Sequence, residues 1–191
     1  MKIKHFLPVC LMILMVILIS CESNQETKPL SQAELVQHGA YLVQISGCND
    51  CHSPKKMTPN GPMPDEALLL SGHPHDVPMP AVDTSQIGPG KWVLMSGDLT
   101  AFVGPWGMSF AANLTPDKQT GLGLWTEENF INALHSGKHM GIGRPILPPM
   151  PWFNLAKAKD EDLKAIFVYL QSIKPVNNLV PGAIAMADLK K

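Results

Sequence analysis

The stretch Gly47-Cys48-Asn49-Asp50-Cys51-His52 constrains this chain more than any other part of it. Two cysteines three positions apart, followed directly by a histidine, form the C-x-x-C-H pattern of c-type haem attachment. The two thiols add to the two vinyl groups of a haem, and the histidine ligates the iron. A chain that carries haem c in this way must fold around it, because the macrocycle becomes part of the apolar core. A redox dithiol and half of a zinc site are the rival uses of such a pair. A thioredoxin-like dithiol follows a strand and opens a helix, whereas here helical periodicity runs up to the motif, and no further cysteine is left to complete a zinc set.

That last point depends on where the four cysteines lie. Residues 1–20 read as a lipoprotein signal: Lys2 and Lys4 give a basic start, Phe6 to Ile19 is nearly all apolar, and Leu18-Ile19-Ser20-Cys21 has the form of a lipobox. The apolar run is shorter than the roughly 20 residues a spanning helix needs, which argues against an uncleaved membrane helix. On this reading Cys10 leaves with the signal, Cys21 carries lipid, and Cys48 and Cys51 take the haem. The mature chain is then expected outside the cytoplasm, held by lipid to a membrane, in the periplasm or on the outer face of the cytoplasmic membrane. A formal net charge of −1 argues against a nucleic-acid partner.

Residues 21–30 are polar and read as a flexible tether. A single domain is expected over 31–176. Ser31 and Glu34 make a capping box, and Leu35, Val36, Gly39, Leu42 and Val43 recur at helical spacing up to Gly47. From Ser53 to Phe110 nine of the 18 prolines and seven of the 15 glycines accumulate, which excludes helix through most of the segment and predicts a long irregular loop against the haem. Only Leu68 to Leu70 and Lys91 to Met95 carry weak signals, for a helical turn and a short extended piece. A second helix is expected from Thr126 to Gly137. A third begins at Asp160-Glu161-Asp162, with Leu163, Ile166, Phe167 and Leu170 on one face, and ends before Pro175. Gly39 predicts a close crossing of the first and third helices near Phe167 or Leu170. Residues 177–191 form a tail with no clear pattern.

The second axial ligand decides what kind of haem protein this is. Met150 stands out among the methionines because Pro148, Pro149 and Pro151 restrict its backbone, so its thioether can be aimed at iron with little loss of entropy. Met140 and Met108 are the other sulfur candidates. His73, His75, His135 and His139 are weaker nitrogen candidates, since each reads equally well as a loop or surface histidine. Arg144 and Trp152 bracket the same loop and could pair with a haem propionate through the guanidinium and the indole N–H, as could Asn113 through its amide.

Several blocks together carry a resemblance: Tyr41-Leu42 ahead of the Cys48 to His52 motif, Asn113-Leu114-Thr115-Pro116-Asp117, Thr120-Gly121-Leu122-Gly123, Met150-Pro151, and Asp162-Leu163-Lys164-Ala165 with Tyr169-Leu170. The chain resembles the monohaem cytochrome c domains related to the cytochrome subunits of membrane-bound alcohol and gluconate dehydrogenases. The resemblance covers most of residues 36 to 176. It implies an all-α cytochrome c fold of the class I type, with three main helices around one covalent haem. It also implies that the Met of the Met-Pro pair, here Met150, is the axial ligand opposite His52. Those subunits carry three such domains, whereas this chain has one motif. The expectation is an extracytoplasmic single-electron carrier and not an enzyme, with a dehydrogenase, a terminal oxidase or another cytochrome as redox partner. A haem enzyme or gas sensor is the alternative should the distal methionine not bind iron, and a non-haem lipoprotein is the other.

Overall fold

The computed structural model describes residues 28–189; the signal segment 1–20, the lipidation candidate Cys21 and most of the tether lie outside the described residues. The unit that begins at Ser31 opens with helix α1 (Gln32–Ile45). The Ser31 hydroxyl accepts from the Glu34 amide, and the Glu34 carboxylate returns to the Ser31 amide at 2.7 Å, so both donors at this end are satisfied. Gly47, in the left-handed conformation at φ 66°, breaks the chain into the five-residue helix α2 (Cys48–His52), which carries the whole attachment motif.

Helix α3 (Glu127–Ser136) is capped by Thr126 and stopped by Gly137, also left-handed, as the sequence predicts. Helix α4 (Trp152–Leu155) is one turn, and α5 (Asp160–Ser172) begins on three acidic residues that complement its N-terminal dipole. Helices α1 and α5 cross at Gly39. A Cβ built there would stand 1.9 Å from the Ala165 carbonyl oxygen and 2.7 Å from Tyr169 Cβ, so the contact lies at Ala165 and Tyr169 rather than at Phe167 or Leu170. The apolar sides of α1, α3 and α5 close one core built on Val43, Leu70, Phe130, Leu163, Phe167 and Leu170.

The all-α expectation fails in the segment 53–110. Of the described residues 36% are helical and 14% strand, with two antiparallel sheets among them. Strands β1 (Lys55–Thr58) and β2 (Gly61–Pro64) form a hairpin in which Lys56 faces Met63 and Met57 faces Pro62. Strands β3 (Leu94–Met95), β4 (Ala101–Gly104) and β5 (Gly107–Phe110) form a meander with β4 at its centre. The density of proline and glycine limits helix here to the single 3-10 turns Glu66–Leu68 and Thr84–Gln86, and the prolines and glycines sit where short strands tolerate them. Pro62 and Pro64 lie in a two-stranded hairpin, and Gly107, at φ 102°, opens β5 after a tight turn. The meander has its own core of Ile87, Val103 and Met108.

Residues 177–189 return to this second core. Ile184 and Met108 exchange two backbone hydrogen bonds of 2.8 and 2.9 Å, and helix α6 (Met186–Leu189) packs against β5. Asn178 is buried at 6% exposure. Its Nδ2 donates to the carbonyls of Ser71 (2.7 Å) and His73 (2.9 Å), and its Oδ1 accepts from the His75 amide at 3.0 Å. Among the described residues no helix is long and apolar enough to cross a membrane.

Candidate functional site

Helix α2 presents both thiols and the histidine within five residues, and Cys48 and Cys51 are both free. Cys48 packs against the helical core, and burial pushes its thiol up to about 11. Burial also raises Cys51, with the Lys55 ammonium pulling the other way. His52 is 9% exposed, and its Nδ1 lies 2.7 Å from the Ala112 carbonyl oxygen. A carbonyl can only accept, so Nδ1 carries the proton and Nε2 keeps a free lone pair with no partner among the described residues. Burial holds His52 below the usual histidine value, with the Ala112 hydrogen bond opposing, and so favours the neutral ring that a metal requires.

A helix of five residues does not persist by itself, and α2 is held in place by contacts from residues beyond its C-terminus. The Ser53 hydroxyl donates to Asn49 Oδ1 at 2.7 Å and accepts from the Leu70 amide at 2.8 Å. The His52 carbonyl accepts from the Gly72 amide at 2.8 Å. A Cβ on Gly72 would fall 2.5 Å from the Ala111 carbonyl oxygen, so the 71–73 strap lies flat against 111–112, which holds the acceptor of His52. Lys55 Nζ reaches the Asn49 carbonyl at 3.0 Å, the Asp50 carbonyl at 2.8 Å and the Ser53 carbonyl.

Met150 packs against the same apolar cluster as Cys48, on the loop between α3 and α4. That loop is tied to the β-meander: Trp106 Nε1 donates to Ser109 Oγ at 3.1 Å, and Ser109 Oγ donates to the Pro148 carbonyl at 2.6 Å. Trp152 lies over Gly137, where a Cβ would meet its ring at 2.5 Å. Arg144 is exposed, with Nη1 3.3 Å from the Pro145 carbonyl oxygen. Asn113 is buried and engaged within the protein: its Nδ2 donates to the Val176 carbonyl at 2.8 Å, and its Oδ1 accepts from the Thr115 amide at 2.9 Å and the Thr115 hydroxyl at 2.7 Å.

The remaining sulfur and nitrogen candidates lie elsewhere or hold other partners. Met108 sits in the meander core and Met140 is exposed at the surface. His135 bonds Asp160 at 2.8 Å, and His139 stands edge-on to Trp125 at 4.9 Å. His75 is exposed. His73 is buried, with Nδ1 2.7 Å from Thr100 Oγ1, which itself donates to Asp98 Oδ2 at 2.6 Å. Sequence reasoning missed Ala112, Ser109 and Lys55. A backbone acceptor leaves no trace in residue type, and the Ser109 contact spans 39 positions. Lys55 did carry a signal, a cation just beyond a helix C-terminus.

Two free thiols and a buried histidine with an open Nε2 on one short helix, with Cys48 and the Met150 thioether against one apolar cluster, can hold a covalently attached haem. No family model matches the chain. It is 26% identical over 143 residues to the cytochrome c subunit of alcohol dehydrogenase (quinone) from Gluconobacter oxydans, which covers 74% of this chain and 22% of that protein. It is 27% identical over 143 residues to the gluconate 2-dehydrogenase cytochrome c subunit of Pantoea cypripedii, covering 74% of this chain and 24% of that subunit. A shorter match, 34% over 78 residues, links 41% of the chain to 6% of a nicotinate dehydrogenase subunit from Pseudomonas putida. The chain thus spans about a quarter or less of the length of these relatives, and its similarity to them is that of a cytochrome c-like protein.

Proposed function

We propose that the chain is a single-haem electron carrier, attached through Cys48 and Cys51 and ligated by His52 and Met150. The observation that carries this reading is the 2.7 Å bond from His52 Nδ1 to Ala112, which leaves Nε2 open beside two free thiols on one short helix. The bound haem would supply one-electron chemistry between ferric and ferrous iron. The protein's share is to orient and to exclude water. Helix α2 and the Ala112 carbonyl, backed by the 71–73 strap, fix the histidine, and the Ser109 contact to Pro148 restrains the methionine loop. The apolar core of α1, α3 and α5 lowers the local dielectric and so favours the less charged, ferrous state. Arg144 and Trp152 remain the candidates for propionate contacts, while the engaged amide of Asn113 acts by shaping the 113–123 loop. The dehydrogenase names of the relatives support a dehydrogenase as electron donor, with an oxidase or another cytochrome as acceptor. The lipobox-like Leu18 to Cys21 supports a lipid anchor outside the cytoplasm.

Ligation is tested by the absorption spectrum of the ferric protein. Sulfur ligation gives a weak long-wavelength band, expected in the unmutated protein and lost in Met150→Ala. A spectrum without the band, or one in which it survives the substitution, refutes the Met150 assignment and favours an open-site haem enzyme or gas sensor.

A further inference from the structure

The unexpected β1–β2 hairpin begins at Lys55, three residues beyond the attachment motif, and the ammonium there is engaged in a specific way. An ammonium has three donors and no acceptor, and Lys55 Nζ meets three main-chain carbonyls, those of Asn49, Asp50 and Ser53. Asn49 and Asp50 belong to α2 and Ser53 is its C-cap, so these are carbonyls that a helix end leaves without intrahelical partners. The other end of α2 has no side-chain cap, because Gly47 has none to offer. The hairpin holds the lysine in place. Asp65 N donates to the Pro54 carbonyl at 2.8 Å, and Lys56 pairs with Asp65 across the strands at 2.8 Å. The charge is therefore fixed in position beside Cys51, with Asp50 and Asp98 as the carboxylates near it.

We propose that Lys55 is a positioning residue for the haem: its ammonium locks the attachment helix in the conformation that presents Cys48, Cys51 and His52 together, and its fixed positive charge raises the reduction potential. The proposal rests on haem attachment at Cys48 and Cys51. A positive charge close to the iron disfavours the ferric form, so its removal lowers the potential. A lysine serving only as a packed stem would leave the potential unchanged when its charge alone is removed.

The test uses the full chain produced with haem-attachment machinery, as Lys55→Met, Lys55→Gln and Lys55→Arg. Covalent haem per polypeptide is read from the pyridine haemochrome spectrum and midpoint potential from a redox titration. Lys55→Met, which keeps the stem, is expected to carry several-fold less covalent haem, and its holo fraction to titrate at a lower potential. Lys55→Gln lowers the potential in the same direction, and Lys55→Arg restores both readings most of the way. Loss of haem from Lys55→Met with a helical circular dichroism spectrum retained supports the positioning role even where too little holoprotein forms for titration; the potential of Lys55→Gln then reads the charge. Wild-type potential and haem content in both Lys55→Met and Lys55→Gln overturn the proposal. Wild-type protein without covalent haem overturns instead the functional reading on which it rests.

Discussion

Gly39→Ala places one methyl group at the tightest point of the crossing between α1 and α5, and its effect can be worked out. The new carbon would lie 1.9 Å from the Ala165 carbonyl oxygen, 2.6 Å from the Ala165 carbonyl carbon and 2.7 Å from Tyr169 Cβ. Two of these three atoms are backbone in the middle of α5, so no side chain can rotate to make room. Restoring ordinary contact at roughly 3.5 Å requires the helices to part by about 1.5 Å, and a gap of even about 1 Å forfeits up to roughly half of each dispersion well it opens. Leu163, Ile166 and Leu170 lie on the buried side of α5 and would lose packing in turn. Overpacking of this kind costs about 3 kcal/mol at the upper end of its usual range. Alanine recovers about 1 kcal/mol of helix propensity. The net is about 2 kcal/mol of destabilisation, or a melting temperature lower by roughly 4–8 °C for a domain of this size. Thermal unfolding followed at 222 nm measures it, with Gln37→Ala on the exposed side of α1 as a control expected within about 0.5 kcal/mol of wild type. A melting temperature for Gly39→Ala equal to or above wild type would mean that propensity outweighs the crossing, and would refute the steric origin of the effect.

Two further perturbations probe the second half of the chain. Asn178→Ala leaves the Ser71 and His73 carbonyls without their donor and removes the acceptor of the His75 amide; denaturant unfolding should show a loss of roughly 2–4 kcal/mol, and a loss within error of zero would mean that the tail is dispensable. Burial, opposed by the Asp98 carboxylate, holds His73 below the usual histidine value, so the fold prefers its neutral form. Its contribution is complete above the unfolded histidine value of 6.5 and declines as pH falls below it toward the lower folded value. Stability measured across that window should fall with acid in the wild type and more shallowly in His73→Gln; parallel curves would assign the slope to other groups.

The parts of this molecule legible in the sequence are those set by local chemistry. Ser31 with Glu34, Thr126 with Gly137, and the acidic start at Asp160 mark helix ends because caps satisfy backbone groups within one turn. The Cys48 to His52 motif is readable because its spacing is what attachment chemistry demands. The strands were not, for identifiable reasons. β1 and β2 are four residues each and include Gly61, Pro62 and Pro64, so they show no apolar alternation. All four residues of β4 are buried, so it has no polar face to reveal its period. Nor could the sequence say that Asn178 would reach Ser71 across 107 positions, or that Gly39 would meet Ala165 instead of Phe167. Both depend on the register of elements far apart in the chain.

The central claim is that Cys48 and Cys51 carry haem through thioether bonds. The direct measurement is a pyridine haemochrome spectrum of the purified protein after extraction with acidified acetone, run beside the double substitution Cys48→Ser with Cys51→Ser. A c-type spectrum that stays with the wild-type polypeptide through extraction and is absent from the double variant is the expected result. Haem that leaves with the solvent, or no haem in the wild type, would contradict it.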